Sequence, residues 1–267
     1  MTVNQSTMLS PIRSAHTAPL SAYANASASA LDGLPEAARL AWRRTVFAGL
    51  SADVTRSMLA RSSMITVRAS EIAYRASANE ESPLLGIVVS GLLRFYIQAP
   101  DGRAMTVRYA GPGEIVGARG VALVNPSGAD ALRRDKFALT AEALHDATIL
   151  QLHTRTVATA ARTHPELAWA LAGEVSNQAM RDQELITTNV FCSIRNRVAR
   201  HMLMLATKRG DELVLDMTHQ GIADAIGSVR EVVSRALCRL QDEGIVQRRG
   251  RTLTIRNPMA LYRVSTE

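Results

Sequence analysis

The chain has 267 residues, 47% of them hydrophobic, which is enough to fill one large core or two modest ones. Its two cysteines, Cys192 and Cys238, are too few for a disulfide scaffold or a four-cysteine cluster, and no apolar run reaches membrane-spanning length. The net charge is +7, and from Arg195 onward 13 Lys and Arg stand against 8 Asp and Glu, an asymmetry that implies a polyanionic partner at that end.

Residues 1–30 are rich in Ser, Ala, Thr and Asn without periodicity, and predict a disordered lead-in lacking the apolar core of a signal peptide. From Leu34, LPEAARLAWRRTVFAGLSADVTRSMLARS predicts two short helices broken at Gly49, the second capped by Ser51. A β-pattern follows. Leu85, Ile87 and Val89 alternate up to Ser90-Gly91, Leu93, Phe95 and Ile97 alternate up to Asp101-Gly102, and then come Met105, Val107 and Tyr109. Strands joined by Gly turns predict an antiparallel meander, and with Gly113 to Gly117 and the closing run Phe137 to Leu152 they predict a small β-barrel or jelly roll.

A long helix is expected from Pro165, behind Thr163 as cap, to about Phe191. A 3,4-spaced stripe through Ala168, Leu171, Val175, Gln178, Asp182, Leu185 and Asn189 offers a two-helix seam, with polar members that weaken it; the alternative is packing on the chain's own β-roll. A helix over Ile194 to Lys208 then leads through Gly210 and the strand ELVLDM into the last segment.

That segment, THQGIADAIGSVREVVSRALCRLQDEGIVQRRGR, carries the most specific pattern. A first helix begins at the cap Thr218 and runs through Ile222, Ala225 and Ile226 to Gly227. A second runs from Ser228 to about Glu243 with Val229, Val233, Ala236, Leu237 and Leu240 on one face. The small Ala223, four residues before Gly227, fits a steep crossing with a tight turn: a helix-turn-helix. The opposite face of the second helix holds Arg230, Glu231, Ser234 and Arg235. There an Arg can grip guanine O6 and N7 and a Glu can accept from cytosine N4, while Ser228 as cap exposes amides that favour a phosphate. Gly244 fits a C-cap, and a hairpin turning at Arg249-Gly250 forms a wing with Arg248, Arg249 and Arg251 near the sugar-phosphate backbone.

GSVREVVSRALCRLQDEGIV followed by RGRTLTI resembles the winged helix of the Crp/Fnr family of bacterial transcription regulators. The resemblance implies base reading by Arg230, Glu231, Ser234 and Arg235, and backbone contacts at Thr218, His219, Gln220 and Arg249 to Arg251, Gly250 included. VFAGLS and the β-order over roughly residues 40 to 155 resemble the family's cyclic-nucleotide-binding β-roll. In that family a Glu after the Gly-x-x-x-Gly segment holds the ribose and an Arg-Ser pair holds the cyclic phosphate. Here Ala118 follows Gly117, and Phe137 and Ala138 stand where Arg-Ser would be. Cyclic AMP is therefore not the expected effector. The loop from Ala118 to Lys136 still offers Arg119, Arg133 or Arg134 for an anion. Two cysteines exclude an iron–sulfur oxygen sensor, and no His lies between His16 and His145 to bind haem in the roll. Cys238, one turn beyond Arg235, is a candidate redox position close to DNA.

The expected fold class is α+β: an N-terminal double-stranded β-roll (jelly roll), a long dimerisation helix and a C-terminal winged helix-turn-helix. The expected domains are a disordered segment 1–30, a sensor domain 31–160, the dimerisation helix 161–192 and the DNA-binding domain 193–267. The expected protein is a cytoplasmic, sequence-specific regulator and not an enzyme, since residues 1–155 hold no catalytic constellation, metal cluster or phosphate loop. No cofactor is expected. The expected partners are double-stranded DNA in palindromic sites, a second copy of the chain, RNA polymerase and a small-molecule effector, with no membrane. The alternative is an effector-responsive module that uses the winged helix for protein contacts.

Overall fold

The structure, a computed structural model, describes residues 30–75, 84–99, 102, 104–124, 139–250 and 252–266. The lead-in 1–29, most of the loop after Ala118, and Arg133, Arg134, Phe137, Ala138 and Arg251 lie outside the described residues.

Two short helices, α1 (Glu36–Arg43) and α2 (Ala52–Leu59), flank a 3-10 turn at Val46–Gly49. Thr45 fixes that turn: its hydroxyl accepts from the Phe47 N–H at 3.1 Å and donates to the Trp42 carbonyl at 2.7 Å. Ser51 precedes α2 but does not cap it with its side chain; its hydroxyl instead donates to Glu166, 2.6 Å away at the start of the long helix.

Six strands build the roll: β1 (Ser63–Val67), β2 (Ile72–Arg75), β3 (Leu85–Gln98), β4 (Ala104–Ala110), β5 (Ile115–Val116) and β6 (Leu139–Leu152). They pair antiparallel in the order β1-β6-β3-β4, with β2 also on β6 and β5 on β3. The turn expected at Ser90-Gly91 is not one. β3 runs on for 14 residues, and Gly91 (φ 84) sits in a run of register shifts, pressed so close to β6 that a Cβ would lie 2.4 Å from the Asp146 carbonyl oxygen. A Gly signal inside a strand thus marks a bulge at a close crossing. The segment after Gly117, read as loop throughout, starts as the short helix α3 (Ala118–Leu123).

Because side chains of a strand alternate, β3 feeds two cores. Val88, Leu93 and Phe95 meet Val116, Ala143 and Ile149 inside the roll. Leu85 and Ile87 meet Trp42, Phe47, Met58, Leu150 and Leu152 beneath the helices. Each large side chain sealed there contributes about 1.5–3 kcal/mol.

After α4 (Thr154–Thr163), the long helix α5 spans Pro165–Phe191, 27 residues, with Pro165 at its first turn. His164, not Thr163, is the residue before it, and no side chain caps it. Much of the stripe expected to face a second copy faces the roll: Leu171 and Gln178 are buried, Asp182 pairs with Arg119, and Asn189 donates to Met105. The large apolar residues left exposed on α5 are Trp169, Met180, Ile186, Val190 and Phe191, displaced from that stripe.

The last unit holds α6 (Ile194–Leu205, capped by Ser193), β7 (Thr207–Arg209), β8 (Glu212–Asp216), α7 (His219–Ile226), α8 (Arg230–Asp242), β9 (Val246–Arg249), β10 (Thr252–Ile255) and α9 (Pro258–Thr266). Its sheet order is β7-β8-β10-β9, and its core joins Val198, Met202, Ile222, Val233, Leu237, Leu240, Leu253 and Leu261. Among the described residues no helix is long and apolar enough to cross a membrane, and no three His, Cys, Asp or Glu side chains gather as a metal site.

Candidate nucleic-acid interface

The site begins with two helix ends. The Thr218 hydroxyl accepts from the Gly221 N–H at 2.9 Å and starts α7. Gly227, at φ 66 and ψ 41, ends it in the left-handed region open to glycine, and the Ser228 N–H returns to the Ala223 carbonyl at 2.9 Å. Ala223 is fully buried at the crossing. Ser228 does not cap α8: the residue before the helix is Val229, and no side chain satisfies its first amides. The cap expected at Ser228 is therefore absent, and the Ser228 N–H is instead used in closing α7.

Val233, Ala236, Leu237 and Leu240 anchor α8 in the core, which leaves Arg230, Glu231, Arg235 and Cys238 exposed on its far side. Ser234 is half-buried because it is engaged: its hydroxyl lies 2.7 Å from His219 Nδ1. The other ring nitrogen, Nε2, lies 3.2 Å from Arg248 of the wing. With Arg248 donating to Nε2, the Nδ1–H donates to Ser234, a neutral imidazole in one tautomer. Burial, then Arg248 and Arg230, hold the His219 pKa below its ordinary value. One ring therefore joins α7, α8 and the wing, a link with no signature in residue spacing.

The wing is the hairpin β9-β10, turning through Gly250 (φ 64) as expected, with Arg248 donating to the Gly250 carbonyl at 2.9 Å. Arg248 and Arg249 are exposed beside α8. Gln220, also exposed, donates to Asp224 at 2.7 Å. Gly244 (φ 71) closes α8, where the Ile245 N–H meets the Leu240 carbonyl at 3.0 Å. Direct contacts thus join His219, Ser234, Arg248 and Gly250, and Arg230, Glu231 and Arg235 are exposed on the same helix as Ser234.

The expected effector residues part company. Gly117 (φ 78) is fixed by packing: a Cβ would lie 1.4 Å from the Leu84 carbonyl oxygen. Ala118 is buried, and Arg119 is committed to α5, donating to Asp182 at 2.7 Å and Gln178 at 3.3 Å. Sequence reading missed Tyr109 and His201, whose side chains meet at 3.3 Å between roll and winged unit; burial, then Arg94, lowers the His201 pKa to about 4.

The profile of the Crp-like helix-turn-helix domain matches residues 196–264. The transcriptional regulator LdrP of Thermus thermophilus is 30% identical over 189 residues, covering 69% of this chain and 88% of LdrP. The cAMP-activated global transcriptional regulator Vfr of Pseudomonas aeruginosa is 22% identical over 183 residues, 67% of this chain and 83% of Vfr. A Crp/Fnr-family structure from Eubacterium rectale superimposes with a TM-score of 0.69 at 23% identity, over 82% of this chain and 96% of that one. An arginine-bearing second helix on a winged scaffold, and this identity across most of LdrP, place one conclusion beyond the fold: the chain belongs to the Crp/Fnr family of DNA-binding transcription regulators.

Proposed function

We propose that the chain reads a palindromic operator as a homodimer, with Arg230, Glu231, Ser234 and Arg235 on base edges. Thr218, His219, Gln220, Ser228, Arg249, Gly250 and Arg251 then serve the backbone. The observation that carries this reading is the exposed polar face of α8 with the wing fastened beside it through His219. Recognition helices enter the major groove by their N-terminal half, where these residues sit. A two-fold pair places such helices about one helical turn apart. The exposed apolar face of α5, from Trp169 to Phe191, supports the second copy, because an unpartnered stripe of that size is rarely left in water.

The proposed division is a sensor domain 31–160, a dimerisation helix 161–192, within which α5 begins at Pro165, and a DNA-binding domain 193–267. The protein acts in the cytoplasm and meets RNA polymerase on DNA, without catalysis of its own. Although Vfr is named as cAMP-activated, cyclic AMP does not serve this chain, since Ala118 and Arg119 leave no carboxylate for the ribose and α5 already occupies Arg119. Selection from a random duplex pool by the purified ligand-free protein tests the reading. A palindrome is expected; recovery of no preferred sequence, with binding insensitive to salt, overturns it in favour of a protein-contact module.

A further inference from the structure

The roll, the C-terminal half of α5 and helices α6 and α7 leave a cavity of about 460 Å³ where they meet. Its wall is mostly apolar, from Leu92, Leu185, Met204, Leu205 and Ile226, and its size suits a small organic ligand. The charges on it do not balance: Arg108, Arg181, Arg197 and Arg200 stand against Glu114 and Glu184. Two of these arginines are answered. Arg200 pairs with Glu184, and Arg181 pairs with Glu174 at 3.2 Å.

Arg108 and Arg197 make their hydrogen bonds to neutral acceptors, although the Glu114 carboxylate acts on Arg108 through space without an ion pair among the described residues. Arg108 reaches the Ile115 carbonyl at 3.4 and 3.5 Å, long for such bonds, and lies 4.5 Å over the Phe95 ring. Arg197 donates to Asn189 at 3.0 Å and to the Ile226 carbonyl at 3.2 Å, while its buried Nε has no hydrogen-bond partner among the described residues. Burial lowers the pKa of both, a sign that water has been withdrawn from both guanidinium groups. Half-dehydrated cations beside an apolar wall are a strained arrangement that an anion completes.

The polar groups around the cavity narrow the ligand. Tyr109 is engaged with His201, Asn189 with Arg197 and Met105, and Thr188 with Arg200. Little remains to satisfy a base and a ribose, whereas one compact charge on an apolar body fits. We propose that this junction binds a small apolar carboxylate, its acid group held by Arg108 and Arg197 and its body against Leu185, Met204 and Ile226. Arg197 also ties the end of α5 to the last carbonyl of α7, so an acid that draws on Arg197 loosens the seat of the reading unit on the roll. That coupling rests on the DNA-binding reading; the binding itself does not.

Isothermal calorimetry on the full chain without DNA tests the site, using phenylacetate and octanoate, with phenylacetamide as the neutral control. At least one acid binds and the amide does not. Arg108→Gln, shown folded by circular dichroism, weakens the acid by about tenfold or more. Met204→Trp fills the cavity from its exposed rim and abolishes binding with every arginine in place. Absence of heat from both acids overturns the site, as does an amide that binds equally or a pair of variants that bind like wild type. Operator affinity measured with and without the bound acid then tests the coupling. No change there removes the coupling alone, and failure to bind any duplex indicts the DNA reading instead.

Discussion

The face of α8 and the junction around α6 are both built on arginine, and the two use it in opposite ways. On α8, Arg230 and Arg235 stand exposed with no ion pair among the described residues. Hydrated cations of this kind cost the fold almost nothing and are free to answer a polyanion. At the junction Arg108 and Arg197 are half-buried and partly dehydrated, and Arg94 keeps a buried nitrogen without a hydrogen bond among the described residues. The same side chain is therefore left in water on one surface and withdrawn from it on the other.

Five substitutions bear on that contrast. The largest effect is expected away from both, at the glycine that lets the roll close. Gly117→Ala places a Cβ 1.4 Å from the Leu84 carbonyl oxygen at φ 78, and denaturant unfolding of the roll should lose on the order of 4 kcal/mol. Gly210→Ala, also at positive φ but with nothing within 4 Å, should lose about 1 kcal/mol. Equal losses would show that close packing does not dictate Gly117.

At the junction, stability should follow pH through His201. Its folded pKa of about 4 lies below the unfolded value of about 6.5, so the folded state favours the neutral ring. The contribution is complete above the unfolded value and is lost as pH falls toward the folded one, about 2 kcal/mol by pH 5. Urea midpoints at neutral pH and at pH 5 should differ less in His201→Leu than in wild type.

On the reading face the fold should hardly notice. Arg235→Ala should leave the unfolding midpoint in place and cost roughly 1 to 3 kcal/mol of operator binding, with relaxed base preference in a duplex competition assay. Smaller still, Arg248→Ala should weaken all duplexes alike and flatten the slope of log affinity against log salt by about one. If Arg248→Ala instead changed which sequences bind, the tie through His219 would be orienting Ser234 on a base.

The winged helix was legible because its signals are local. Gly227, Gly244 and Gly250 all adopt positive φ where the sequence asked for turns, and the apolar stripe of α8 is buried from Val233 to Leu240, while Val229, expected on it, is exposed ahead of the helix. Where a signal has two physical readings, sequence alone did not decide: Gly91 marked a bulge, not a turn, and much of the 3,4 stripe of α5 packs on the chain's own roll, the alternative left open. Strands β1 and β2 went unread because their exposed and half-exposed residues break the alternation. The helix α9 after Pro258 was also missed, although Leu261 and Val264 seal the core there. The junction had no signature at all. Tyr109 and His201 are 92 positions apart, and no window contains both.

Met105 gives that junction its mechanical character. It forms a lone bridge with Ile226, its thioether lies 3.2 Å from where a Cβ on Gly227 would sit, and Asn189 donates to its sulfur at 3.5 Å. The seam between roll and reading unit is thus lined by an unbranched, polarizable chain against a glycine. A branched residue there would interlock like a gear tooth; methionine lets one body slide over the other and repack at little expense.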